Sequence, residues 1–174
     1  DSIKQKVLNR YMWLFLNLGT VFLAAFVVSR FEDTISAFVL LVAYMPVVAG
    51  MGGNAGMQAL AVVVRGLATE KVSLKSGVRI VLNEVGAGAV NGLITGTLVA
   101  FVAWVFHHSP LLGLVVMLSV VTNLIIAGFF GTVVPFVMRK FGKDPATSAS
   151  ILITTATDVL GYFIFLSLAK VILV

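Results

Sequence analysis

Five long apolar runs, separated by short polar segments, make up almost the whole chain. They cover residues 11–29, 35–64, 78–106, 111–138 and 146–174. Because a helix needs about 20 predominantly apolar residues to cross a bilayer, this pattern predicts five transmembrane helices. The expected fold class is therefore an all-α polytopic membrane protein, placed in the lipid bilayer as a multi-pass protein of the cell (inner) membrane.

The composition supports a membrane protein and excludes several other classes. Hydrophobic residues make up 60% of the chain and charged residues 11%, whereas about 25% of a soluble domain is charged. The net charge of +5 resides largely in Lys and Arg of the short connections, where basic residues set membrane orientation, so we expect no nucleic-acid partner. Cysteine is absent, which leaves oxygen ligands as the chemistry for binding cations.

The distribution of basic residues predicts the orientation of the chain. Five spans place the two termini on opposite sides of the membrane. Of the 12 Lys and Arg residues, all except Arg30 and Lys170 fall on the side of the N-terminus. By the positive-inside rule, we expect the N-terminus to be cytoplasmic and the C-terminus exoplasmic.

The second apolar run carries unusual residues for a membrane helix. It contains Pro46, a glycine-rich cluster over residues 50–56 that includes Asn54, and then Gln58. These residues predict a kinked or broken helix, and freed carbonyls at membrane depth are tolerated only where they face protein or water. Close helix packing would also explain the glycines. Close packing explains the amides of Asn54 and Gln58 less well. The second run therefore either lines a pore or serves helix packing, and the sequence leaves both interpretations open.

One carboxylate, Asp158, lies in the middle of the last apolar run. A charge at that depth costs roughly 2.5–3.5 kcal/mol, so Asp158 is expected to face the bundle interior or a watery cavity. Thr147, Ser150, Thr154 and Gly161 are spaced three or four residues from one another or from Asp158, so they share one helical face with it. We call these five residues the polar stripe. The stripe predicts a polar pathway; alternatively, its hydroxyls bond to their own helix and Asp158 has a structural partner.

Three other polar positions are candidates for chemistry or capping. Glu84 lies near the cytoplasmic end of the third run, where a structural role and a cation-attracting role are both open. His107 and His108 are adjacent and so do not face the same way on a helix, which favours a solvated loop over a metal site. Asp144 is placed to cap the last helix, with Pro145 at its first position.

The charges deep in the chain favour a cation as ligand. They are acidic, and no deep Lys or Arg neutralises Asp158. One carboxylate is a weak site, but two copies across a two-fold axis would supply about −2, matched to a divalent ion. We therefore predict a homodimer with the fifth helices at its axis. Hydroxyls and helix carbonyls suit hydrated Mg²⁺, which keeps several of its waters.

Two motifs occur together in this chain. One is Pro46, Gly52-Gly53-Asn54 and Gln58, and the other is Thr157-Asp158 followed by Gly161. Together they resemble the transmembrane domain of the MgtE family of magnesium channels, over nearly the whole chain. The resemblance implies a homodimer of five-helix protomers whose second and fifth helices line a central pore. That pore is expected to select Mg²⁺ and to pass some other divalent ions, such as Mn²⁺.

The resemblance also implies roles for particular residues. By motif position, Asp158 matches the central pore carboxylate, and Glu84 matches an acidic residue near the cytoplasmic part of the third helix. The candidate cation-site residues are Asp158, Thr154, Ser150, Gly161, Asn54 and Glu84. The chain departs from the family at Ile151, where many members have Pro, and at Ser150, where some have Asn.

The whole chain, residues 1–174, is thus expected to be a transmembrane ion-conducting domain. Because it begins at Asp1 and bacterial members of the family carry cytosolic magnesium-sensing domains, we expect a fragment that lacks an N-terminal regulatory region. Passage of Mg²⁺ through a dimeric pore is the leading function. The alternatives are an H⁺- or Na⁺-coupled exchanger, a purely structural role, and an intramembrane aspartyl protease, which needs two facing acids. With only one deep Asp, no enzymatic activity is expected.

Overall fold

The computed structural model describes residues 2–69, 76–142 and 145–174, with backbone alone at residues 9 and 146–148. Its helices are α1 (Ile3–Ser29), α2 (Glu32–Ala37), α3 (Leu41–Ala68), α4 (Gly77–His107), α5 (Pro110–Lys140) and α6 (Pro145–Ile172). All of them except α2 are long and apolar enough to cross a membrane. The prediction of five apolar spanning helices is confirmed.

The start of the last helix agrees with the sequence pattern. Helix α6 begins at Pro145, a position that suits proline because the first N–H groups of a helix have no partner within it. The predicted cap, Asp144, lies outside the described residues, and so does the side chain of Thr147. The histidine pair ends α4: His107 is its last residue and His108 adopts a left-handed backbone with φ 50°.

The polar segment after α1 is a short helix, and the second span begins later than its apolar run. Helix α2 carries Glu32 and Asp33 in its first turn, where carboxylates interact favourably with the free N–H groups. It ends at Ala37, and the next residue, Phe38, has a non-helical backbone at φ −140° and ψ 77°. The run that starts at residue 35 is therefore divided at residues 38–40, and the membrane-spanning part begins at Leu41.

Helix α3 continues without interruption through Pro46 and the glycine cluster. Proline lacks the N–H that would bond to the carbonyl four residues earlier, here Val42. That carbonyl belongs to the first turn of α3, so only one bond near the helix start is lost. The prediction of a helix broken at Pro46 or at the glycines is therefore wrong; the apolar run is divided earlier, at residues 38–40.

Helix α5 is the centre of the bundle and packs against α3, α4 and α6. Helix α1 packs mainly against α6, and most of its large side chains are exposed, as expected for a helix surrounded by lipid. The core is formed by buried side chains of α3, α5 and α6, including Val48, Leu112, Val116, Val120, Leu124, Phe165 and Leu166.

Small residues bring the backbones of α4 and α5 into direct contact. A Cβ added to Gly92 would lie 2.7 Å from the Cα of Val121, and one added to Gly128 would lie 2.5 Å from the carbonyl oxygen of Glu84. A Cβ at Gly88 would collide with the carbonyl oxygen of Leu124. Backbone atoms cannot move aside as a flexible side chain can, so these glycines fix the position of α4 on α5.

Replacing Gly88 by alanine is therefore expected to destabilise the protein. The added methyl group has no room against the α5 backbone, and such overpacking typically costs about 1–3 kcal/mol. Gly86→Ala is the matched control, because a Cβ at Gly86 meets nothing within 4 Å. Thermal unfolding in detergent should show a lower midpoint for Gly88→Ala only; equal midpoints for the two variants would contradict this packing.

Candidate cation-binding site

Asp158 lies on α6 at the margin of the face that this helix buries. Its neighbours Thr157 and Gly161 are buried, whereas Asp158 is only partly covered. Among the described residues, no hydrogen bond to its carboxylate is found. A partly covered carboxylate without such a partner is costly next to lipid, so the surroundings of Asp158 must supply water, an ion or another chain.

The hydroxyl groups before Asp158 bond to carbonyls of their own helix. Thr154 donates to the carbonyl oxygen of Ser150 over 2.9 Å, and Thr157 donates to that of Thr154 over 3.1 Å. This agrees with the local bonding that the sequence left open as an alternative. Each hydroxyl oxygen nevertheless keeps lone pairs after donating its single proton. Thr154 therefore stays able to accept a hydrogen bond from a water bound to a cation.

Ser150 and Thr154 face a groove of about 490 Å³ between α6, α3 and α1. Its lining residues are Arg10, Trp13, Leu14, Asn17, Met57, Ser150, Ile151 and Thr154. Arg10 places a positive charge beside the Ser150 end of the stripe, which is unfavourable for a cation. A cation is therefore better placed at the other end of the stripe, beside the carboxylate of Asp158.

Gly161 contacts the interior of the protomer. A Cβ at Gly161 would lie 2.7 Å from Nδ2 of Asn123, which is fully buried on α5. On the other side, a Cβ at Gly52 of α3 would lie 2.7 Å from Cγ of Asn123. Asn123 thus fills the space between two glycines, one on α3 and one on α6.

The side-chain amide of Asn123 joins α5 to α3. Its Nδ2 donates to the carbonyl oxygen of Val48 over 2.8 Å, and its Oδ1 is the buried side-chain atom for which no partner is found in the described part of the chain. Asn123 is not among the site residues predicted from the sequence. A buried amide in an apolar span was the available signal; its glycine neighbours lie on other helices and leave no local pattern.

The glycines of α3 divide into two groups. Gly52 and Gly56 contact other helices: a Cβ at Gly56 would lie 2.5 Å from Cγ2 of Ile153. A Cβ at Gly50 or Gly53 would meet nothing within 4 Å. Helix packing therefore explains the first pair and leaves the second unexplained. The open pair lies next to Asn54, whose side chain is exposed.

Glu84 lies apart from the α6 stripe. It faces a second groove, between α3 and α4, together with Gln58 and Asn91; none of the α6 candidates lines that groove. The structure therefore brings Ser150 and Thr154 together but leaves Asp158, Gly161 and Asn54 outside both grooves. Within the described residues, no group of three or more Asp, Glu, His and Cys side chains is close enough to hold a metal.

Comparisons with known proteins match the sequence of the chain to one family. The sequence profile of MgtE, described as a divalent cation transporter, matches residues 45–168. The chain is 37% identical over 161 residues to the magnesium transporter MgtE of Bacillus subtilis, and 36% identical over 167 residues to that of Thermus thermophilus. A third relative, the magnesium transporter MgtE of Enterococcus faecalis, is 32% identical over 162 residues. These alignments cover 92%, 95% and 93% of this chain but only 36%, 37% and 36% of the relatives.

Proposed function

The chain belongs to the MgtE family of divalent cation transporters, and on that premise we propose that it passes Mg²⁺ across the membrane through a pore between two copies of itself. Helices α3 and α6 line this pore, and the two Asp158 carboxylates bind the hydrated ion. The family relationship and the five spanning helices make the chain a multi-pass membrane protein. The relatives are named as transporters, which favours transport over proteolysis.

The observation that carries the proposal is the environment of Asp158. The carboxylate is partly exposed at the margin of α6 and has no hydrogen-bond partner among the described residues. A carboxylate whose only task is structural would be expected to accept hydrogen bonds from its surroundings. A water-filled pore that holds a cation would supply the carboxylate with hydrogen-bond donors and with a balancing positive charge.

The dimer follows from charge balance. A single protomer offers the ion one carboxylate from α6, and Glu84 lies in a different groove. Two Asp158 side chains related by a two-fold axis would balance the charge of one divalent ion, and two-fold symmetry is the commonest arrangement of homo-oligomers. In this arrangement each protomer contributes half of the site.

A hydrated ion also needs space beside the helices. Gly50 and Gly53 leave open space along α3, and Asn54 presents an exposed amide on the same helix. Mg²⁺ loses its waters reluctantly and touches few protein oxygens directly. Threonine oxygens such as that of Thr154, and the amide of Asn54, can accept hydrogen bonds from its bound waters. Other divalent ions of similar hydration, such as Mn²⁺, are expected to follow the same route.

The proposal is tested by Mg²⁺ flux into liposomes that contain the chain and a magnesium-sensitive dye. We expect the dye signal to rise when Mg²⁺ is added outside, to increase with a membrane potential that is negative inside, and to be absent from protein-free liposomes. The flux should not require a pH or Na⁺ gradient. Flux that stops when either gradient is removed would replace the pore with a coupled exchanger, and no flux above empty liposomes would contradict transport by this chain.

A further inference from the structure

A second groove lies between α3 and α4, with α5 as its floor. It has a volume of about 170 Å³ and is lined by Ala55, Gln58, Ala59, Val62, Glu84, Ala87, Gly88, Asn91, Leu124 and Gly128. Most of these residues are small or apolar, so the polar character of the groove comes from Gln58, Glu84 and Asn91. No residue of α6 takes part, which separates this groove from the site at Asp158.

The polar side chains lie at different distances from the helix ends at one side of the bundle. At 1.5 Å per helical residue, Glu84 lies about 10 Å and Asn91 about 21 Å from the start of α4. Gln58 lies about 15 Å from the end of α3, at the same side of the membrane. The amides of Gln58 and Asn91 are exposed. Because exposed amides and carboxylates at these depths are costly in lipid, the groove is expected to contain water.

Glu84 is the charged residue of this groove. No Lys or Arg lines it, and among the described residues no ion pair involves Glu84. The backbone at Glu84 packs closely on α5, because the carbonyl oxygen of Glu84 lies against Gly128. A fixed negative charge in a wet groove attracts cations.

We propose that this groove is a second cation site, which binds one hydrated divalent cation per protomer independently of Asp158. With a volume of about 170 Å³, the groove has room for several water molecules. That matches the hydration shell of Mg²⁺, which typically binds through one or two carboxylates and keeps several waters. Glu84 supplies the carboxylate, and the carbonyl oxygens of Gln58 and Asn91 accept hydrogen bonds from the waters of the ion. The choice of Mg²⁺ as the bound ion rests on the proposed transport function, whereas the existence of the site does not.

Mn²⁺ binding to the detergent-solubilised chain, counted by electron paramagnetic resonance of the free ion, tests this site. We expect Glu84→Gln to lose one bound Mn²⁺ per protomer, or to bind it at least about tenfold more weakly. Glu32→Gln removes an exposed acid of α2 and is the control for net charge. Unchanged Mn²⁺ binding in Glu84→Gln, with wild-type thermal stability, would overturn the proposal.

A second pair of variants tests the neutral ligands. Asn91→Leu is expected to weaken Mn²⁺ binding, because it removes an acceptor for the waters of the ion. Asn83→Leu changes another exposed amide of α4 that does not line the groove, and should leave binding unchanged. Equal effects of the two substitutions would count against the groove as the place of binding.

Asp158→Asn separates this proposal from the transport function. If both proposals hold, Asp158→Asn loses transport and keeps the Mn²⁺ that depends on Glu84. If Asp158→Asn still transports Mg²⁺ while Glu84→Gln loses its Mn²⁺, the pore assignment fails and the groove site stands. If Asp158→Asn alone abolishes all Mn²⁺ binding, the groove is not a separate site and the inference is overturned.

Discussion

Replacing Asp158 by asparagine is expected to reduce Mg²⁺ flux at least about tenfold, which corresponds to roughly 1.4 kcal/mol or more of lost stabilisation of the ion in the pore. Asparagine has nearly the size of aspartate, so the variant removes charge and changes shape little. In a homodimer it removes two charges from one site. The attraction between a divalent ion and nearby carboxylates is stronger in a narrow pore between low-dielectric helices than in bulk water. Asp158→Ala should be at least as inactive.

The control for this experiment is Asp33→Asn. Asp33 is an exposed acid in the first turn of α2, so the control changes the net charge of the chain by the same amount. Flux should stay at the wild-type level in that variant. Undiminished and equally selective Mg²⁺ flux in both Asp158→Asn and Asp158→Ala would refute the role of the carboxylate.

Replacing Gly52 by alanine is expected to lower the stability of the protein and to couple this loss to Asn123. The new methyl group would collide with the amide of Asn123, which is held on its other side by Gly161 and is fully buried. Because Asn123 is fully buried between the two glycines, the cost should be about 1–3 kcal/mol, the typical range for an overpacked core. The displaced amide would also lose its hydrogen bond to Val48. Gly53→Ala is the matched control, because its Cβ meets nothing within 4 Å.

A double-mutant cycle identifies Asn123 as the cause. Asn123→Ala removes the amide that blocks the space beside Gly52, so the double variant Gly52→Ala/Asn123→Ala should recover most of the stability lost in Gly52→Ala. Residues in direct contact typically show coupling free energies of about 0.5–3 kcal/mol. Thermal unfolding of the four proteins measures the coupling. Additive effects of the two substitutions would show that Asn123 does not fill this space.

The number and type of the spanning helices could be predicted from the sequence, because the length of an apolar run is itself the physical requirement for crossing a bilayer. The residue at which the second span begins could not be predicted from the sequence. The residues around Phe38 are apolar on both sides of the break, so hydropathy does not change there. The break depends on the backbone at Phe38, which the composition of the run does not determine.

Asp158 could be singled out from the sequence because a lone carboxylate in an apolar helix is costly wherever that helix packs. The two roles of the α3 glycines could not be separated in this way. Gly52 and Gly53 are neighbours in the chain, yet one contacts Asn123 and the other faces open space. That difference depends on the helix opposite each residue. For the same reason, the sequence did not separate Glu84 from the Asp158 site: α4 packs on α5, away from α6.

The most direct test of the paired carboxylate is the position of Mn²⁺ in crystals of the chain, located by its anomalous scattering. We expect a two-fold dimer with an anomalous peak on its axis, between the Asp158 side chains of the two protomers and at a distance that leaves room for bound water. The peak should disappear in crystals of Asp158→Asn. A peak that persists in that variant, or a dimer axis that lies away from α6, would contradict the proposed pore.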